Sequence, residues 1–143
     1  LRPKLEYASQ VWHDSYGCYK LERIQRKFTK RIRGLSSLLY EDRLFKLNLS
    51  SLKDRRCFLD LTFTHKALNG QFNIISEDLH ISRALSNTRS NGVNLLVKRA
   101  ISAGVEKNFS FRINKHWNNL PASIKSINNH ILFKRLVKKH LNL

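Results

Sequence analysis

The chain has 143 residues, 41% of them hydrophobic, with 8 Phe, 4 Tyr and 2 Trp against only 5 Gly and 2 Pro, which suits one domain with a core and not a disordered tail. Lys+Arg 27 against Asp+Glu 10 gives a formal charge of +17, a self-repulsion that points to a polyanionic partner, RNA or DNA first. A merely solvated surface is the plainer alternative, and an anionic membrane fits less well because the basic residues lie on several segments.

In chain order, Leu1, Leu5, Ala8 and Trp12 keep helical spacing and predict a first helix, with Pro3 in its first turn and an end in the turn cluster Asp14–Gly17. A second helix is predicted from Lys20 to Gly34. Leu21, Ile24, Phe28 and Ile32, continued by Leu35, form a narrow apolar stripe on which it should dock. Lys20, Arg23, Arg26, Lys27, Lys30, Arg31 and Arg33 spread over the opposite side, offset only by Glu22. Such a face suits a track of nucleic-acid phosphates.

Tyr40 to Lys46 reads as a short helix with Leu44 and Leu47 facing inward. Ser51-Leu52-Lys53-Asp54 fits a helix-capping pattern and opens a long helix that should end at Asn69-Gly70. Its apolar residues form two stripes, Leu52, Leu59, Phe63 and Ala67 on one side and Cys57, Leu61 and Leu68 nearly opposite. A helix apolar on two sides belongs at the centre of a domain.

From residue 72 to 104 the periodicity weakens. Ser86 to Gly92 is loop chemistry, and Val93 to Val97 reads as a short extended stretch. Helical spacing returns with Val105, Phe109, Ile113 and Trp117 and stops at Asn118-Asn119-Leu120-Pro121. A last helix starts near Asn129, with Phe133, Leu136, Val137, His140 and Leu141 on one face and Lys134, Arg135, Lys138 and Lys139 largely on the other. That second basic cluster is a further candidate for phosphate contact, and Lys98 and Arg99 with Arg89 and Arg112 form a third. The expectation is an all-α fold of six or seven helices around a central buried helix, with one irregular or short extended insertion. Residues 1–71, 72–104 and 105–143 are its N-terminal helical, irregular and C-terminal helical parts.

Little else in the chain suggests chemistry. Cys18 and Cys57 are far apart with no C-x-x-C, which fits a reducing compartment. The six His have no zinc-ligand spacing, so no metal or other cofactor is expected. Neither a Gly-rich phosphate loop nor a G-x-S-x-G occurs. Trp12 and Trp117 sit on apolar stripes, which favours core packing over base stacking. No apolar run approaches a membrane span, and the start lacks the core of a secretory signal, so an intracellular place, nucleus or cytoplasm, is expected. The lack of any methionine suggests a piece of a longer protein.

Several segments, taken in order, resemble one family. They are L-R-P-K-L-E-Y-A-S-Q-V-W at Leu1–Trp12, K-L-E-R-I-Q-R-K-F-T-K-R-I at Lys20–Ile32, and Y-E-D-R-L-F-K-L-N-L at Tyr40–Leu49. S-L-K-D-R-R at Ser51–Arg56 and K-A-L-N-G at Lys66–Gly70 follow. T-R at Thr88–Arg89, F-x-x-R at Phe109–Arg112, W-N-N-L-P at Trp117–Pro121 and F-K-R-L at Phe133–Leu136 complete the set. Their order is similar to the region downstream of the polymerase palm in jockey-type non-LTR retrotransposon reverse transcriptases. The resemblance implies a C-terminal fragment of an RNA-directed DNA polymerase, separated from its endonuclease and polymerase parts, that grips the template–primer duplex. The parent would use magnesium held by aspartates. This chain has no Asp-Asp pair, and Glu41-Asp42 and Glu77-Asp78 stand in the wrong contexts, so no catalytic residue is carried over and the fragment is expected to be inactive. A stand-alone nucleic-acid-binding module and an inactive remnant are the rival expectations.

Overall fold

A computed structural model describes residues 2–12, 15–72, 79–84, 92–97, 102 and 108–143. Among these the architecture is all-α, with no sheet. The helices are α1 (Arg2–Glu6), α2 (Ser9–Trp12), α3 (Ser15–Lys30), α4 (Tyr40–Lys46), α5 (Leu52–Leu68), α6 (Phe109–Asn118), α7 (Ala122–Lys125) and α8 (His130–His140).

The long helix α5 is central, as its two apolar stripes predict: α1, α2, α3, α6 and α8 all pack on it. Its start is fixed by Ser51, whose Oγ accepts from the Asp54 N–H at 3.0 Å. Its end is a Schellman turn, in which the Gln71 N–H donates to the Lys66 carbonyl and the Gly70 N–H to that of Ala67, with Gly70 at φ +63°. Leu52, Phe58, Leu61 and Ala67 are buried on it, but so are Arg56, Asp60, Thr62, Thr64 and His65. A helix packed from several sides takes some of its polar residues into the interior with it.

The main apolar core lies on the C-terminal side of α5. Phe58 and Leu61 meet Ile113, Trp117, Leu120, Ile124, Phe133 and Val137, with Ile81 and Leu95 from the irregular part. Trp117 and Phe133 stack at 5.8 Å between ring centroids, so Trp117 is a core residue as expected. The extended stretch at residues 93–97 is real but short. Leu95 pairs across an isolated antiparallel bridge with Arg83, and Ala84 and Leu96 add backbone hydrogen bonds of 2.9 and 2.8 Å to Asn94 and Ser82. Helix α6 holds this stretch with its own side chains. Asn118 both accepts from the Leu95 N–H (2.8 Å) and donates to the Leu95 carbonyl (3.1 Å), standing in for a neighbouring strand. Trp117 Nε1 donates to the Val93 carbonyl at 2.9 Å and Asn114 Nδ2 to that of Leu96 at 3.3 Å.

Several expectations are corrected. The first helix is two short ones, because Ala8 takes φ +50° and breaks the register. Ser15, Tyr16 and Gly17, read as a turn, are the first turn of α3. That helix ends at Lys30, not Gly34, and Arg31 to Ser37 continue as turns. Helix α7 after Pro121 is not foreseen in the sequence. His140 is exposed, away from the apolar face of α8. His13, Asp14, Val105, Thr88, Arg89, Lys98 and Arg99 lie outside the described residues, as do the side chains of Leu5 and Trp12.

The N-terminal helices attach to α5 differently, through charged and polar groups. Arg55 grips Glu6 of α1 with two bonds of 3.1 and 2.8 Å. Asp60, fully buried, accepts from Arg112 Nε of α6 at 2.9 Å, and Arg112 also reaches the Gln10 carbonyl of α2 at 3.3 Å. Arg112 is therefore a structural cross-link and not a member of a surface patch. Arg56 sits one helical turn before Asp60; it is fully buried, and its guanidinium nitrogens have no hydrogen-bond partner among the described residues.

These cross-links set the sign of two stability changes. Asp60→Asn leaves buried guanidinium charge uncompensated and lowers unfolding free energy by about 3–5 kcal/mol, whereas Arg56→Met removes an unpaired charge at similar volume and leaves the melting temperature equal or higher. Chemical denaturation of both variants checks the pair of signs. Asn118→Ala strips both backbone groups of buried Leu95 of their partner and costs roughly 2–3 kcal/mol, with faster amide exchange at Leu95 as the local signature.

Candidate nucleic-acid interface

Helix α3 carries more Lys and Arg than any other described helix. Lys20, Arg23, Arg26, Lys27 and Lys30 are exposed along it, and Arg31 and Arg33 are exposed on the turn that follows. The helix does not dock as its apolar spacing suggests. Ile24 and Phe28 are 44% and 56% exposed, Leu21 and Ile32 are half-buried, and the buried positions are Gln25 and Thr29. The docking face is turned towards polar residues because its partners are polar.

Tyr40 of α4 is the hub of that contact. Its hydroxyl donates to Glu22 Oε1 and accepts from Gln25 Nε2 at 3.0 Å. Burial first, and the Glu22 hydrogen bond second, push the Tyr40 hydroxyl above its ordinary range, so it stays protonated as a donor. Arg43 is buried and bonds Thr29 Oγ1 at 3.2 Å, the Leu38 carbonyl, and the Arg26 carbonyl at 3.5 Å, closing the end of α3. The Arg26 guanidinium lies 4.6 Å from the centroid of the Tyr40 ring.

Glu22 is the decisive detail. Its carboxylate is turned inward, accepting from Tyr40 and from the N–H groups of Leu52 and Lys53 at 3.4 and 3.3 Å, at the positive end of α5. The one acid among the basic residues of α3 is thus committed to capping another helix. The ion pairs of Arg55 with Glu6 and of Arg112 with Asp60 draw on other helices.

The second cluster behaves differently. Lys134, Arg135, Lys138 and Lys139 are all exposed on α8. Lys134 and Lys138, one turn apart, border a groove of about 360 Å³ against α5, joined there by Arg55, Lys66 and His130 and walled by Phe58, Leu59, Phe63 and Phe72. The sequence held a signal for this face that composition hides: Arg55, Leu59, Thr62, Phe63 and Lys66 recur at helical spacing along one side of α5. Helix α3 packs on α4 and α5, and α8 on α5 and α7, so separate interfaces carry the two basic clusters.

At the groove's edge two imidazoles meet. His65 Nε2 lies 2.6 Å from the Ile127 carbonyl and must donate to it, leaving Nδ1 as an acceptor. His130 Nδ1, 3.3 Å away, then supplies the proton of the His65–His130 bond. His65 also stacks on Phe133 at 4.0 Å. Burial lowers the pKa of both rings from the ordinary 6.5; for His130 the cations Lys66, His65 and Lys134 add to it, and for His65 Arg83 does. Burial, with Asp60 and Asp54, pushes the Cys57 thiol up to about 12, which makes it inert, and Cys18 and Cys57 form no disulfide.

Comparison with family models, characterised proteins and solved structures gives no match. Among the described residues no group of three or more His, Cys, Asp or Glu is placed to hold a metal ion, and no helix is long and apolar enough to cross a membrane.

The imidazole pair makes stability pH-dependent in a defined direction. Both rings have a lower pKa folded than unfolded, so the unfolded chain takes up protons first and stability falls as pH drops below about 6.5. Imidazole proton titration by NMR should give midpoints for His65 and His130 below 6.5, with the melting temperature falling over the same window. Midpoints at or above 6.5 would contradict the burial of the pair, since for His65 burial outweighs the opposing hydrogen bond to Ile127.

Proposed function

We propose that this chain binds the phosphate backbone of nucleic acid through the cationic face of α3, and that it does so as the C-terminal, non-catalytic part of a jockey-type retrotransposon reverse transcriptase. The inward turn of Glu22 supports the first half most directly, because it leaves the exposed side of α3 with no carboxylate of its own. A convex helix with cations at successive turns meets the convex phosphate ridges of a duplex without reading its bases. The lysines and arginines of α8 extend the same capacity.

The ordered resemblance along the chain supports the second half, and so does the exposure of large apolar side chains. Tyr7, Val11, Ile24, Phe28 and Phe45 are 44% to 88% exposed, the kind of surface that a larger polymerase would cover. In that setting the chain orients the template–primer duplex, and the magnesium-dependent transfer belongs to residues of the parent's palm.

Titration of the protein into a labelled RNA–DNA hybrid at several salt concentrations tests the reading. Replacing Arg23, Lys27 and Lys30 by Ala should lower the magnitude of the log–log salt slope by about 2–3, roughly one for each phosphate no longer neutralised. No measurable affinity at low salt, or a slope unchanged by the three substitutions, rejects it. Primer extension by this chain with magnesium should give no nucleotide incorporation, and robust incorporation would refute the non-catalytic assignment.

A further inference from the structure

The groove between α5 and α8 differs from α3 in shape and in lining. It is concave, and at about 360 Å³ it lies at the low end of the roughly 300–1,000 Å³ of sites that enclose single ligand-sized groups. A duplex cannot enter such a space, but one or two unstacked nucleotides can. Its charge is one-sided: Lys66, Lys134 and Lys138 border it with His130, no carboxylate among the described residues lines it, and the charge of Arg55 is already met by Glu6. The groove also has an aromatic wall. Phe63 and Phe72 lie 5.1 Å apart between centroids, and Lys66 Nζ sits 5.4 Å from the Phe72 ring.

We propose that this groove binds a short single-stranded stretch of RNA or DNA, with phosphates on Lys66, Lys134 and Lys138 and a base against the Phe63–Phe72 pair. The proposal rests on the reading of the chain as a nucleic-acid binder and adds a strand type and a second surface to it. Cations beside aromatic rings are the combination that single strands use, since every base has a π-face and every nucleotide a phosphate. An acidic peptide would satisfy the lysines but leave the aromatic wall without a role. After burial, the cations Lys66 and Lys134 hold the His130 pKa below its ordinary value, and a phosphate bound beside them would act in the opposite direction.

Fluorescence anisotropy with two labelled probes, a short oligo-dT and a blunt duplex, separates the groove from α3. Joint replacement of Lys66 and Lys138 by Ala should weaken oligo-dT binding about tenfold and leave duplex binding within about twofold. The alanine variant at Arg23, Lys27 and Lys30 should do the reverse. Phe72→Leu keeps the apolar volume and should weaken oligo-dT alone, which provides an independent test if the double lysine variant melts early. Equal loss of both probes from the groove variants, no loss from either, or competition by poly-Glu as effective as by unlabelled oligo-dT would overturn the groove assignment while α3 kept its role. Failure of both probes to bind the unmodified protein would overturn the broader reading as well.

Discussion

The buried carboxylate of Asp60 is the constraint on which the assembly turns. In a chain of net charge +17, one carboxylate on the most enclosed helix anchors Arg112 of α6, and through Arg112 the backbone of α2. Arg56 lies on the same helix one turn earlier, fully buried, and its guanidinium has no hydrogen-bond partner among the described residues. Buried charge is costly unless it is paired and hydrogen-bonded, a condition that Arg112 meets and Arg56 does not. The geometry around Asp60 therefore fixes how α2, α5 and α6 meet more strictly than apolar contact alone would.

The same use of acids explains the surface. Three of them have tasks within the fold: Glu6 on Arg55, Glu22 on the start of α5 and Asp60 on Arg112. Each acid drawn inward removes a negative charge from the solvent side, where most of the lysines and arginines remain. The cationic face of α3 thus follows from how the fold is fastened. Without the Leu52 and Lys53 N–H groups to accept from, Glu22 would be free to pair with Arg26 one turn away.

The all-α architecture and the central helix were legible because apolar spacing and capping chemistry at Ser51 and Gly70 are local signals. The C-terminal core was legible for the same reason, with Ile113, Trp117, Phe133 and Val137 at helical intervals. What spacing misread was α3. Its apolar residues are more regular than its polar ones, yet Gln25 and Thr29 are buried and Ile24 and Phe28 are not, since the partners waiting on α4 are Tyr40 and Arg43. No local pattern discloses the polarity of a surface fifteen residues away in sequence. The groove was missed because its cations come from two helices that only packing brings together. The strand-like use of Asn118 was equally invisible, being a contact across more than twenty residues.

The rotation of α3 has a consequence for its surface chemistry. With Ile24 and Phe28 outward, Lys20 and Lys27 lie beside apolar side chains on adjoining helical positions. Water is displaced more readily from such a mixed face than from a purely charged one, and a phosphate contact made there is less screened than one in open solvent. The helix thus combines a row of positive charge with an exposed apolar ridge. Both follow from one cause, the choice of Glu22, Gln25 and Thr29 as its inner face.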